Sequence, residues 1–175
     1  MSAYWANKGY AILVQDEAHV QLKIVPKRTW SRQKNPTITT KGMWGNKRVT
    51  IMGVIGKDGA HYFDFYDSGN WENTKDFLLK VYEPFGPTLI FMDNASYHKK
   101  REIKALTRKL KGKIQIRFLP TYTPELSPIE PQWIGCKNWV NSTPLEDLVQ
   151  LSNGLQTAIN QGIIKIVKLY DCYTA

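Results

Sequence analysis

Cysteine, acidic residues and long apolar runs are all scarce in this sequence, and each scarcity excludes something. The only cysteines are Cys136 and Cys172, and no CxxC occurs. That excludes a disulfide scaffold and a cysteine zinc site, and points to a reducing compartment. No apolar run approaches the roughly 18 residues that a membrane-spanning helix needs. The first residues, Met1-Ser-Ala-Tyr-Trp-Ala-Asn-Lys, lack the charged-then-apolar design of a signal peptide. A cytoplasmic protein that makes no membrane contact is therefore expected. No repeat or low-complexity stretch breaks the 175 residues, of which 42% are apolar. One domain with a sizeable core is expected, burying about 70% of the surface its unfolded chain exposes.

Acids are outnumbered: Asp and Glu total 15 against 24 Lys and Arg, for a net charge of +9. The cations are also clustered. Nine lie between Ala18 and Lys57 with no acid among them, and nine more between Lys99 and Arg117 with Glu102 as the sole acid. Two such blocks are the electrostatic footprint of a polyanion binder. The competing reading is two solvated faces that tolerate their own crowding.

The first half of the chain reads as strands. Tyr10–Gln15 is a short apolar run, and the residues before Asp16 fit a strand pattern. His19–Val25 alternates, while Val49–Ile55 and Tyr62–Tyr66 are β-branched and aromatic, with a hairpin signal at Lys57-Asp58-Gly59. Arg28–Asn46, with Trp30, Pro36, Gly42, Trp44 and Gly45, reads as a loop. The pattern then changes. Asn73–Tyr82 is helical and stopped by Pro84 and Gly86. Thr88–Met92 is a continuous apolar run, as in a strand buried on both faces. Lys99–Lys111 is amphipathic, with Ile103, Leu106 and Leu110 on one face. Ile114–Leu119 is a further strand. Helices are expected from Ser127 and from Thr143, where Thr143-Pro144-Leu145-Glu146 has the form of a capping box. The order predicts an α/β fold: a mixed sheet with helices on its faces.

Because acids are few, each can be weighed singly. Asp16 and Asp93 each follow an apolar strand, where an Asp either projects from the sheet edge, as α/β sites require, or serves as a turn residue. Pro120–Trp133 supplies two more. Glu130 closes a possible capping box, Ser127-Pro128-Ile129-Glu130, which Pro131 weakens. Glu125, between Pro124 and Leu126, resembles a turn residue.

Asp16-Glu17 after an apolar strand, FMDNASYH at Phe91–His98 and YTPELSPIEPQW at Tyr122–Trp133 together resemble a DDE-type transposase. The likeness is to the bacterial and archaeal insertion-sequence branch of the mariner superfamily. Members read Asp-Asn-Ala-x-x-His at the second acid and Tyr-Ser/Thr-Pro-x-Leu-Asn/Ser-Pro-Ile-Glu-x-x-Trp at the third. The match runs from Asp16 to Lys137, and the 37 positions from Asp93 to Glu130 are close to the family's spacing. The resemblance implies a ribonuclease H-like fold with a five-stranded sheet. It makes Asp16, Asp93 and Glu130 the catalytic, metal-binding triad, holding two Mg²⁺ or Mn²⁺ ions. Hard cations take carboxylate oxygen, and two of them about 3.5–4 Å apart clamp the attacking and leaving oxygens of a phosphodiester. Clustered carboxylates raise each other's pKa values, and bound cations reverse that penalty. The implied reaction is hydrolysis at the transposon end, then attack of the freed 3′-hydroxyl on target DNA.

Asn94 and His98 match the motif around the second acid. His98 either orients Asp93, contacts phosphate or simply starts a helix. Trp133 and Lys137 lie at i+3 and i+7 from Glu130, the first read as core packing and the second as a phosphate contact or a solvated side chain. Lys100, Arg101, Lys104 and Arg108 form the polar face of the amphipathic helix and are candidates for DNA contact. Glu17 falls on the opposite strand face from Asp16 and is left out of the triad. His19 and His61 have no partner spacing. Relatives carry an N-terminal helix-turn-helix, and only 15 residues precede Asp16 here. The expectation is a single catalytic domain over 1–175 without that module, nucleoid-associated, acting on duplex DNA as a homodimer, with end recognition left to a separate chain. A non-catalytic DNA-binding remnant, or a ribonuclease H-like nuclease of another family, is the alternative.

Overall fold

The computed structural model describes residues 2–22, 47–120 and 128–169. A short helix, α1 (Ser2–Asn7), precedes β1 (Ala11–Gln21), so the stretch before Asp16 is part helix and not strand throughout. Then come β2 (Arg48–Gly56), β3 (His61–Tyr66), α2 (Trp71–Phe85), β4 (Thr88–Met92), α3 (Arg101–Lys109), β5 (Ile114–Phe118), α4 (Glu130–Ser142) and α5 (Leu148–Asn160). The sheet order is β3-β2-β1-β4-β5. β1 pairs antiparallel with β2 and parallel with β4, β2 pairs antiparallel with β3, and β4 pairs parallel with β5. A hairpin at Lys57–Gly59 joins β2 to β3, and α2 and α3 carry the chain between strands on the parallel side, as parallel pairing requires.

Helices cover both faces, and the strand alternation sorts the core accordingly. Val14, Ala18 and Val20 of β1 meet Trp133, Cys136 and Val140 of α4 and Leu151, Leu155 and Ile159 of α5. On the other face, Leu13 and Ile90 meet Phe77, Leu78 and Val81 of α2 and Ile103 and Leu106 of α3. This double cover explains why Thr88–Met92 is apolar at almost every position.

Two expectations from the sequence need correction. The two runs read as separate strands are one strand, β1, because its antiparallel pairing with β2 continues unbroken from Leu13↔Gly56 to Gln21↔Arg48. Asp16 therefore sits inside a strand and not at its end. The capping box expected at Thr143 is not used: the Thr143 hydroxyl donates to the Trp139 carbonyl at the end of α4, 2.8 Å. Asp147 caps α5 instead, its carboxylate accepting from the Gln150 N–H at 2.7 Å. The expected Ser127 cap, Glu125 and most of the first basic block, residues 23–46, lie outside the described residues. Among the described residues, no helix is long and apolar enough to cross a membrane.

Candidate active site

Asp16 lies where β1 stops pairing with β4 but continues to pair with β2. The parallel register ends at Val14↔Phe91, so Asp16 and Asp93 each stand two residues past the last matched pair of adjacent strands. Directly opposite Asp16 on β2 is Gly53. A side chain there would collide with Trp133: a Cβ on Gly53 would lie 2.7 Å from Trp133 Cη2 and 2.6 Å from the Phe63 ring. The bare glycine lets the indole lie against the strand pair, and Trp133 Nε1 donates to Asp16 Oδ2 at 2.9 Å. Burial pushes the pKa of the Asp16 carboxyl above its ordinary value, and the like charges of Asp93 and Glu17 push the same way. The Trp133 and backbone hydrogen bonds oppose the shift without cancelling it.

Asp93 follows β4, with its side chain 57% exposed. Its Oδ1 accepts from His98 Nδ1 at 2.8 Å and from the Ala95 N–H at 2.9 Å. His98 is donated from a 3₁₀ turn, Ser96–Lys99, and is only 2% exposed. Its Nε2 faces Glu17 Oε1 at 3.1 Å. An ionised carboxylate only accepts, so both ring nitrogens must carry protons to satisfy both partners. Burial works against that charge, but the hydrogen bonds and charges of Asp93 and Glu17 outweigh it and hold His98 up to about 9. In return the His98 hydrogen bond, first among several influences, lowers Asp93 below its ordinary value. Tyr97 Oη donates to Glu17 Oε2 at 2.8 Å. Asn94 uses its side-chain amide to donate to the Leu119 carbonyl, and the Leu119 N–H donates to the Met92 carbonyl at 2.8 Å, closing the ends of β4 and β5 together.

Glu130 is the first residue of α4 and is exposed. It lies one turn before Trp133, whose indole touches Asp16. Among the described residues, no three His, Cys, Asp or Glu side chains form a ready metal cage. The sheet thus brings Asp16 and Asp93 together on adjacent strands, while Glu130 stands exposed at the start of α4, one turn from Trp133. Lys137 is exposed farther along α4, and Lys100, Arg101, Lys104 and Arg108 are all exposed at and along α3. Lys104 and Arg108 join Arg117 and Phe118 in lining a cleft of about 370 Å³ that reaches His98. Two side chains do more than the sequence pattern implies. Trp133 is core, as expected, but also binds Asp16. Glu17 does occupy the opposite face from Asp16, and from there it holds His98.

A mixed five-stranded sheet in the order β3-β2-β1-β4-β5 with helices on both faces is a ribonuclease H-like fold. Residues 11–152 match the family model described as DDE superfamily endonuclease, and the chain belongs to that family. No curated protein sequence matches it. Among solved structures it is similar to the Mos1 mariner paired end complex with Mn, at 14% identity and TM-score 0.64 over 89% of this chain and 50% of that one. It is similar to the catalytic domain of Mos1 mariner transposase, at 13% identity and TM-score 0.59 over 89% and 74%. The HTLV-2 integrase catalytic core domain in complex with magnesium aligns at 14% identity and TM-score 0.54 over 87% of each chain. At these identities the likeness is one of fold. The chain spans about half the length of the first structures matched, 47% and 50% of them.

Proposed function

We propose that this chain is the catalytic domain of an insertion-sequence transposase, cutting transposon ends by hydrolysis and joining the freed 3′-hydroxyl to target DNA. Asp16, Asp93 and Glu130 are its metal-holding carboxylates. The observation that carries the reading is the register that sets Asp16 beside Asp93 on adjacent strands, with α4 anchored on Asp16 by Trp133. The donor chemistry fits two Mg²⁺ or Mn²⁺ ions. The set is all oxygen, and Asp16 is a desolvated carboxylate further disfavoured by its neighbour Asp93, a condition that a bound cation relieves. When bound, such ions stabilise charge on the attacking and leaving oxygens of the phosphodiester.

The protein's own side chains do the positioning. Trp133 orients Asp16, and His98 orients Asp93. The exposed cations at and along α3, with Lys137 on α4, hold the DNA backbone without reading its sequence. Duplex DNA is thus the partner, with a homodimer assembled on it and a separate chain recognising the transposon ends.

The test is nicking of duplex DNA by the whole chain. Cleavage is expected with Mg²⁺ or Mn²⁺, and none in EDTA or from Asp93→Asn, while duplex binding persists in all cases. Cleavage that survives EDTA or the Asp93→Asn substitution would overturn the assignment. Binding without any metal-dependent cleavage by the wild type would make the chain a DNA-binding remnant.

A further inference from the structure

Strand pairing and burial do little to hold Asp93. It lies beyond the end of a strand and its side chain is more than half exposed. A side chain required to hold a set geometry needs support from behind. The support here is a line of hydrogen bonds running back to β1, the central strand. His98 Nδ1 meets Asp93 Oδ1 at 2.8 Å, and His98 Nε2 meets Glu17 Oε1 at 3.1 Å. Tyr97 Oη fixes the second oxygen of Glu17 at 2.8 Å. Behind the exposed Asp93, at 57%, the line is shielded from solvent, with His98 at 2% and Glu17 at 9%. Both bonds to Asp93, from His98 and from the Ala95 N–H, fall on Oδ1, so that among the described residues Oδ2 takes none.

A second, independent feature shows that space is kept for this line. Gly69, in the bend before α2, lies against Glu17. A Cβ there would stand 2.6 Å from Glu17 Oε2 and 3.4 Å from Tyr97 Oη. No backbone reason for glycine is needed at this position; the reason is the carboxylate beside it. The fold therefore keeps a bare backbone at Gly69 where a side chain would dislodge Glu17.

We propose that Glu17 is a positioning residue for Asp93, acting through His98: the buried carboxylate fixes the imidazole ring, and the ring fixes Asp93 Oδ1 and leaves Oδ2 to the metal side of the site. Adjacent residues thus serve one site from opposite faces of the sheet. Asp16 reaches it directly on the α4 face. Glu17, turned to the α2 and α3 face by strand alternation, reaches it through the ring and the second aspartate. Glu17 acts through His98, which makes it a positioning residue and not a catalytic one. Its metal role rests on the function proposed above; its hold on Asp93 does not.

Two substitutions test this at one fixed pH. Glu17→Gln keeps the shape but removes the charge and one acceptor. Gly69→Ala displaces Glu17 by sterics and leaves every member of the line in place, so it serves if Glu17→Gln fails to fold. The first readout is the side-chain carboxyl ¹³C resonance of Asp93 in the metal-free whole chain. Both variants are expected to move it, and His98→Asn is expected to abolish the effect of Gly69→Ala on it. The second readout is direct Mn²⁺ binding by calorimetry, expected to weaken about tenfold in each variant, the scale seen when a partner behind a metal ligand is lost. That weakening should vanish when Asp93→Asn is already present, which a general loss of stability would not produce. An Asp93 resonance unmoved in both folded variants overturns the proposal, even if Mn²⁺ binds the wild type normally. A moved resonance in a protein whose wild type binds no Mn²⁺ upholds the positioning line and removes the metal reading of the site.

Discussion

Trp133 and Asp16 are 117 positions apart in sequence and joined by one hydrogen bond of 2.9 Å, from the indole N–H to a carboxylate oxygen. The bond ties α4 to the central strand of the sheet. It gives a buried, desolvated carboxylate one of the few donors within its reach. It also fixes the first turns of α4, where Glu130 stands one turn from Trp133.

Replacing Trp133 with Phe keeps most of the packing and removes the donor. The protein is expected to lose about 1–3 kcal/mol of stability in urea unfolding, the cost of leaving a buried acceptor unpaired. The loss should be larger at pH 7 than in acid. Asp16 has a raised pKa in the folded state, so acidification protonates it there first, and a neutral carboxyl needs the N–H less. An equal loss at both pH values would show that the indole matters only as volume.

Gly53→Ala places a methyl where Trp133 Cη2 and the Phe63 ring already stand, within 2.7 Å and 2.6 Å. Both neighbours are large rings in the core, not free chain ends. Destabilisation of about 1–3 kcal/mol is expected from overpacking, read as a lowered thermal midpoint. Indole fluorescence should shift as Trp133 is pushed from Asp16. An unchanged midpoint and spectrum would mean that the strand pair yields more easily than its geometry implies.

His98 makes stability depend on pH on the alkaline side. Its folded pKa, about 9, lies above the ordinary 6.5, so its contribution is complete below pH 6.5 and is lost as pH rises through 9. The ring is almost wholly buried, and a shift of this size corresponds to about 3 kcal/mol. Metal-free protein should therefore unfold at lower urea at pH 9.5 than at pH 6.5. His98→Asn should flatten that slope. A wild-type profile that is flat over this range would show that the ring is not held charged.

Lys104 and Arg108 should contribute separately to the salt dependence of DNA binding. Each cation engaged with a phosphate releases counterions, giving log K against log salt a slope of about −0.9 per contact. Replacing both with Gln should flatten the slope by about two units and weaken binding to all duplexes alike. Titrations of end-bearing and random duplexes across salt concentrations check this. An unchanged slope would place the DNA away from this cleft.

Much of the fold was readable because its causes are local. The continuous apolar run at Thr88–Met92, the 3.6-residue period of Ile103 and Leu106 and the strand character of Val49–Ile55 depend only on neighbouring side chains and the faces they must bury. The acids at positions 16, 93 and 130 were singled out differently, by the resemblance of the motifs around them to a family, since local pattern alone left each of them a turn or cap residue. Boundaries failed where a nearby partner outbid a local preference. Asp147 caps α5 because the Thr143 hydroxyl is already spent on the Trp139 carbonyl, and β1 runs through Asp16 because β2 lies beside it along its full length. What only the tertiary structure decided is which side chains support the acids. Sequence alternation turned Glu17 away from Asp16, and that was correct. It gave no sign that His98, 81 positions away, would be waiting on that face. Gly53 and Gly69 likewise look like ordinary glycines until Trp133 and Glu17 fill the space beside them. A motif records the residues that chemistry demands, because those must be of one type. The residues that hold them in place are chosen by distance and shape, and both exist only once the chain has folded.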